Sequence, residues 1–287
     1  MSFKDLYLLE REDENILSKV TPEANKLHKQ VFLDIKKLYE DIFNKPNVDY
    51  SSFDRPFLTY SNDILRFGVD KDGGTAYYNY RNGIIYLTSE SIIKPLKTLD
   101  SIVDSLKGDN DPIIIKAFKN KAKESFDRFV SYWNSTKSEI LHELIHRYDD
   151  KINKIFSNKY YQRLLDNLDN LVKLKKTKQQ ATKEYKDLLK NTVISDYTYY
   201  NRDAEVNAYF LQALYNYTNE FERRAKISDQ WKDSLESGTF QEFKDFFIDK
   251  YLSNNYKYWN DSNKRKVIKR LYDFYTKFLV KIKGEDK

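Results

Sequence analysis

A chain with only seven glycines and five prolines among 287 residues has few places to turn tightly, and that scarcity favours long helices over a β-rich fold. Aromatic side chains make up 16% of it, including 24 Tyr and 18 Phe, which is enough large apolar surface for a sizeable core despite a charged fraction of 33%. No Gly/Ser-rich or Pro-rich linker divides the sequence. We therefore expect one domain over residues 1–287, with a mixed lobe over 1–135 and a helical lobe over 136–287. There is no cysteine, so disulfides and thiolate metal sites are excluded. The opening Met1-Ser2-Phe3-Lys4-Asp5 lacks the apolar run of a signal peptide, and no stretch approaches the length of a membrane span, so a soluble protein is expected.

Local patterns refine this picture. Thr21 can cap a first helix and Pro22 suits its first turn; Leu27, Val31, Ile35, Leu38 and Ile42 form its apolar stripe, and Asn44-Lys45-Pro46 ends it. Residues 57–88 change character. The runs Phe57–Tyr60, Ile64–Phe67, Thr75–Tyr80 and Ile84–Thr88 are rich in β-formers, and Asn82-Gly83 between the last two is a hairpin signal. A small, mostly antiparallel sheet is expected there. From about residue 90 the pattern is helical, with Asp111 and Pro112 opening one helix and residues 150–190 forming a charged helical hairpin.

One segment carries chemistry: Thr136-Lys137-Ser138-Glu139-Ile140-Leu141-His142-Glu143-Leu144-Ile145-His146. Thr136 and Glu139 have capping-box spacing, which starts a helix, and Ile140, Leu141, Leu144, Ile145 and Tyr148 surround it with apolar surface. His142 and His146, four apart, project from one face and can reach one ion, while Glu143 stands where it can take a proton from water at that ion. The chain has only three histidines, so this spacing around a glutamate is improbable by composition alone.

A catalytic zinc needs a third protein ligand. The remaining histidine, His28, sits far upstream beside the stripe residue Leu27 and reads as a histidine at the solvent edge, so a carboxylate is expected instead. Glu205 is the leading candidate: it is the only charged side chain between Ala204 and Tyr217, in a helix otherwise suited to the core. A salt bridge from Glu205 to Arg202 or a lysine is the plainer reading. Asp149, three residues past His146, is a rival ligand or a hydrogen-bond partner for a ligand histidine, and Asp203 has a similar supporting claim.

Together, His142-Glu143-Leu144-Ile145-His146 and Glu205-Val206-Asn207-Ala208 resemble the gluzincin branch of the zincin metallopeptidases, in which His-Glu-x-x-His on one helix is followed by a later glutamate, often as Glu-x-x-Ala. The Leu144-Ile145 filling is also similar to that of clostridial neurotoxin light chains, although the surrounding chain does not match theirs. The resemblance implies a zincin-like α+β fold, mainly helical, with a small sheet, an active-site helix and a helical C-terminal lobe. It implies a zinc metalloendopeptidase acting on a protein or peptide, with Zn2+ held by His142, His146 and Glu205 and with Glu143 as general base. It further implies an oxyanion donor, for which Tyr197, Tyr199, Tyr200 and Arg202 are candidates, and a sheet edge that binds substrate, for which Ile84–Thr88 is the closest match, with a plain core strand as the equal alternative.

Two other classes remain open. The net charge of +6 is uneven: residues 171–190 hold seven Lys against Glu184 and Asp187, and residues 264–283 hold eight Lys or Arg against Asp273, leaving the rest at −6. Such stretches read first as solvated faces of long helices, and could also meet nucleic acid, an anionic surface or an acidic protein; Val267, Leu271, Phe274 and Phe278 give the second one the stripe of a docked amphipathic helix. A virion or scaffold protein using a zincin fold for interaction is the other alternative. The Lys/Asn/Tyr-rich composition is similar to that of proteins from AT-rich bacteria and their phages, so a cytoplasmic or phage-associated location is expected.

Overall fold

The computed structural model describes residues 3–44, 62–68, 75–79, 82–107, 111–150, 203–228, 230 and 238–282. The expected run Phe57–Tyr60 and the hairpin over 150–190 lie outside them, as do Tyr197, Tyr199, Tyr200, Arg202 and the basic stretch 171–190. The described residues are mainly helical with one small sheet, an α+β arrangement. The chain divides into two compact units, residues 16–147 and residues 148–287 together with 1–15. Among the described residues no helix is long and apolar enough to cross a membrane.

Helix α1 (Phe3–Asn44) runs through Thr21 and Pro22 instead of starting there. Proline removes one helical hydrogen bond, but the buried stripe extends upstream through Ile16, Val20 and Ala24 before reaching Leu27, Val31 and Ile35. That continuous apolar face outweighs the interruption.

The sheet of the 16–147 unit has strands β1 (Leu65–Phe67), β2 (Ala76–Asn79) and β3 (Ile84–Leu87) in the order β1-β3-β2. It is mixed, and not mostly antiparallel as expected: β3 pairs antiparallel with β2, Tyr77 opposite Tyr86, but parallel with β1, Leu65 opposite Ile85. A tight hairpin can join β2 to β3, whereas β1 is separated in sequence and free to enter in either direction. In the turn, Gly83 adopts φ 70° and donates to the Asn79 carbonyl at 2.8 Å, as the Asn-Gly signal required.

Helices α2 (Glu90–Leu106) and α3 (Pro112–Trp133) complete the frame of this unit. Asp111 caps α3, its carboxylate accepting from the Ile113 amide at 2.8 Å, with Pro112 in the first turn. Antiparallel to α3, α1 meets its inner stripe: Tyr39 stacks on Phe126 at 4.1 Å between centroids, and His28 on Trp133 at 4.8 Å. His28 is half-buried and tied twice to Trp133. Its Nε2 donates to the Trp133 carbonyl at 2.8 Å, and the indole Nε1 donates back to the His28 carbonyl at 3.3 Å. A carbonyl only accepts, so Nε2 carries the proton. Burial pushes the His28 pKa down, the hydrogen bond to Trp133 opposes that, and nearby Lys137 adds to it.

The other unit contains α5 (Asp203–Ala225), α6 (Phe240–Phe247), a π-helical turn (Ile248–Leu252), α7 (Ser253–Tyr256) and α8 (Asp261–Ile282). Thr239 and Glu242 form a reciprocal capping box at the start of α6. Aromatic packing dominates: the Tyr217 ring meets Phe243 at 5.4 Å, Phe247 and Phe278 at 5.7 Å, and Phe274 at 5.9 Å. Val267 and Leu271 are fully buried, so the stripe of α8 faces inward as its pattern suggested. Glu220 on α5 accepts from Lys250 at 2.6 Å and from the Tyr251 hydroxyl at 2.7 Å, both on the π turn, and pairs with Arg224. Partial burial raises the Glu220 pKa, but those hydrogen bonds and the charges of Lys250 and Arg224 prevail and bring it to about 2.

Two outcomes follow for stability. Gly83→Ala places a Cβ in the left-handed region and lowers stability by about 1–2 kcal/mol, read as a lower urea midpoint at unchanged m-value. Folded His28 resists protonation, so its contribution is complete above its ordinary pKa of 6.5 and is lost as pH falls from there toward the lowered folded value. The urea midpoint of the wild-type protein should fall more between pH 7.5 and 5 than that of His28→Gln; parallel pH profiles would contradict this.

Candidate metal centre

The decisive helix follows α3 with almost no break. Trp133 leads into a 3-10 turn (Asn134–Thr136) and then α4 (Lys137–Tyr148), all in right-handed helical conformation. The expected capping box is replaced by a different device. The Thr136 hydroxyl donates to the Trp133 carbonyl at 2.7 Å, because a chain arriving from a preceding helix has no open N-terminus to cap. At the other end, Arg147 pairs with Glu23 of α1 at 3.1 Å, a cation at a helix C-terminus.

Every residue from Ile140 to His146 is buried, with Ile140, Leu141, Leu144 and Ile145 at most 1% exposed. Among them His142, Glu143 and His146 are the polar exceptions, at 6%, 7% and 3% exposure. Placing three such groups in an apolar helix is costly unless they have polar partners. The imidazoles converge: their Nε2 atoms are 3.1 Å apart and their rings are nearly perpendicular, at 78°. Two imidazole nitrogens bound to one tetrahedral zinc at its usual bond length stand about 3.3 Å apart, so the pair already has the spacing of two ligands.

Glu205 lies in the first turn of α5, where a carboxylate is favoured by the helix dipole, between buried Ala204, Val206 and Ala208, and is itself 6% exposed. His142, His146 and Glu205 each offer one ligand atom, and these atoms lie within 4.8 Å of one another. This buried group can bind a metal ion. Two imidazole nitrogens and one carboxylate oxygen are a donor set open to several divalent transition ions, zinc among them.

The other candidates fall elsewhere. Asp149 is not part of that group; it is 1% exposed and accepts from the Asn207 amide at 3.2 Å. Asp203 opens α5. His28 is committed to Trp133 and is not a ligand. Of the two readings of Ile84–Thr88 the core strand holds and the substrate edge does not: Ile84–Leu87 is the central strand, flanked on both sides by β1 and β2, so its backbone is already paired and cannot receive a peptide.

Two features escaped the sequence reading. Glu139, expected as a capping residue, stands one turn before Glu143; burial raises its pKa, as does the charge of Glu143, while His142 opposes them. Arg270 of α8, hidden in a run of basic residues, donates to the Asn207 side-chain oxygen at 2.8 Å and lies over the Phe210 ring at 4.4 Å. Its position beside the inward stripe residues Val267 and Leu271 was the available signal.

Comparison of the chain with protein-family models, with curated proteins and with solved structures found no match to any of them.

Proposed function

We propose that this protein is a zinc-dependent peptidase, in which His142, His146 and Glu205 hold the metal and Glu143 moves the proton. The observation that carries the reading is the grouping of these three ligand atoms, two of them on a helix whose buried stretch Ile140–His146 also holds Glu143 and is otherwise aliphatic. Bound there, zinc supplies Lewis acidity, polarising a carbonyl oxygen and making water acidic enough to lose a proton near neutral pH. The Glu143 carboxylate follows the first ligand in sequence and receives that proton, then delivers it to the nitrogen of the departing amine. Glu143 must be ionised to begin the cycle and protonated midway through it. Buried Ile140, Leu141, Leu144 and Ile145 keep bulk water from the helix and fix the ring directions. An oxyanion donor from Tyr199, Tyr200 or Arg202, just before the Glu205 helix, belongs to the same proposal.

The inward orientation of α8 accounts for much of the apolar content of residues 264–283 without a nucleic-acid partner, which is why the peptidase reading is preferred.

Metal analysis of purified protein should find about one zinc per chain. Glu205→Ala should raise the zinc Kd by more than about 100-fold, beyond the loss usual for residues that only support a ligand. Glu143→Gln should keep the zinc and lower peptide hydrolysis by about 10²–10⁴-fold across a peptide library. Undiminished hydrolysis by Glu143→Gln would refute the proton-transfer role, and full zinc affinity in Glu205→Ala would refute the ligand assignment.

A further inference from the structure

Around Asn207 three side chains form a chain of alternating donors and acceptors. Arg270 donates from Nη2 to Asn207 Oδ1 at 2.8 Å, and Asn207 donates from Nδ2 to Asp149 Oδ2 at 3.2 Å. The guanidinium has no acceptor, so it fixes which end of the amide faces it and thereby turns the NH2 group toward the carboxylate. Asp149, 1% exposed, is a carboxylate that burial would otherwise penalise. The aligned amide conveys the charge of Arg270 to it across one intervening group. Arg270 is held in turn by its place over the buried ring of Phe210, one helical turn past Asn207 on α5.

The locations of these residues give the chain its meaning. Asp149 comes three residues after His146, at the point where α4 has ended and the backbone widens into a π-type turn. Asn207 comes two residues after Glu205 and, at 100° per residue, projects from the opposite side of α5. A bond between positions 149 and 207 therefore restrains rotation of α5 about its axis, and that rotation sets where the Glu205 carboxylate points.

We propose that Asp149, Asn207 and Arg270 are positioning residues for the metal ligands, a hydrogen-bonded clamp through which the basic C-terminal helix holds the Glu205 helix in register with the turn beyond His146. This rests on the metal-site reading above. It also gives Arg270 a task different from its neighbours Arg265, Lys266 and Lys269, which are exposed where Arg270 is half-buried.

The test uses the full chain, measuring zinc Kd by competition with a chromophoric chelator and the visible absorption bands of the cobalt-loaded protein. Arg270→Met keeps contact with Phe210 but removes the donor. It should raise the zinc Kd by about 10–100-fold and alter the cobalt bands, which report ligand geometry. A residue that merely stabilised the fold would lower the melting temperature of the metal-free protein and leave both metal readouts alone, and that result overturns the proposal. If Arg270→Met does not fold, Arg270→Lys is judged by the same criteria, since an ammonium keeps the charge but not the planar fork. Wild-type protein that binds neither metal sinks the metal site and the clamp together. Wild-type binding with unchanged variants sinks the clamp alone.

Discussion

Burying polar side chains inside an apolar helix is the constraint around which this molecule is arranged. The interior positions of α4 are aliphatic except for His142, Glu143 and His146, and the helix can be buried only if those three find electrostatic partners. The imidazole nitrogens meet each other at 3.1 Å, and Glu205 offers the oxygen that makes three donors. An ion at their common focus would turn three desolvation penalties into three coordinate bonds. The frame around α4 keeps the geometry narrow: Thr136 and His28 both donate to the Trp133 carbonyl at its entrance, and Glu23 holds Arg147 at its exit.

Much of this was legible in the sequence because it depends on short-range periodicity. Four-residue spacing placed His142 and His146 on one face, and an isolated carboxylate in an apolar stretch pointed to Glu205. Asn82-Gly83 specified a turn in which Gly83 takes φ 70°. Asp111 and Pro112 marked the start of α3 correctly. In each case the informative residues are neighbours along the chain, and local sterics or helical geometry decide the outcome.

What escaped the reading depended on distant partners. Nothing local distinguishes a central strand from an edge strand, so Ile84–Thr88 left both open until the position of β3 between β1 and β2 decided between them. Parallel pairing of β1 is a long-range property of the same kind. Pro22 looked like a helix start because proline favours first turns, yet the apolar stripe on both sides of it carried α1 through. Arg270 was masked by its basic neighbours and became distinct only once Asn207 and Phe210 were beside it. Charge runs conceal individual roles because composition averages over faces that point in different directions.

The π turn at Ile248–Leu252 has a length consequence of its own. It holds one residue more than an α-helical repeat requires, and that surplus lets Lys250 and Tyr251, adjacent in sequence, both reach Glu220. A π turn absorbs its extra residue locally, so deleting one residue there would restore regular α winding and leave the following chain in nearly the same phase. Lys250 and Tyr251 would then no longer both face Glu220, and the carboxylate would lose at least one donor. The surplus residue thus serves the contact to Glu220 and not the course of the chain beyond it.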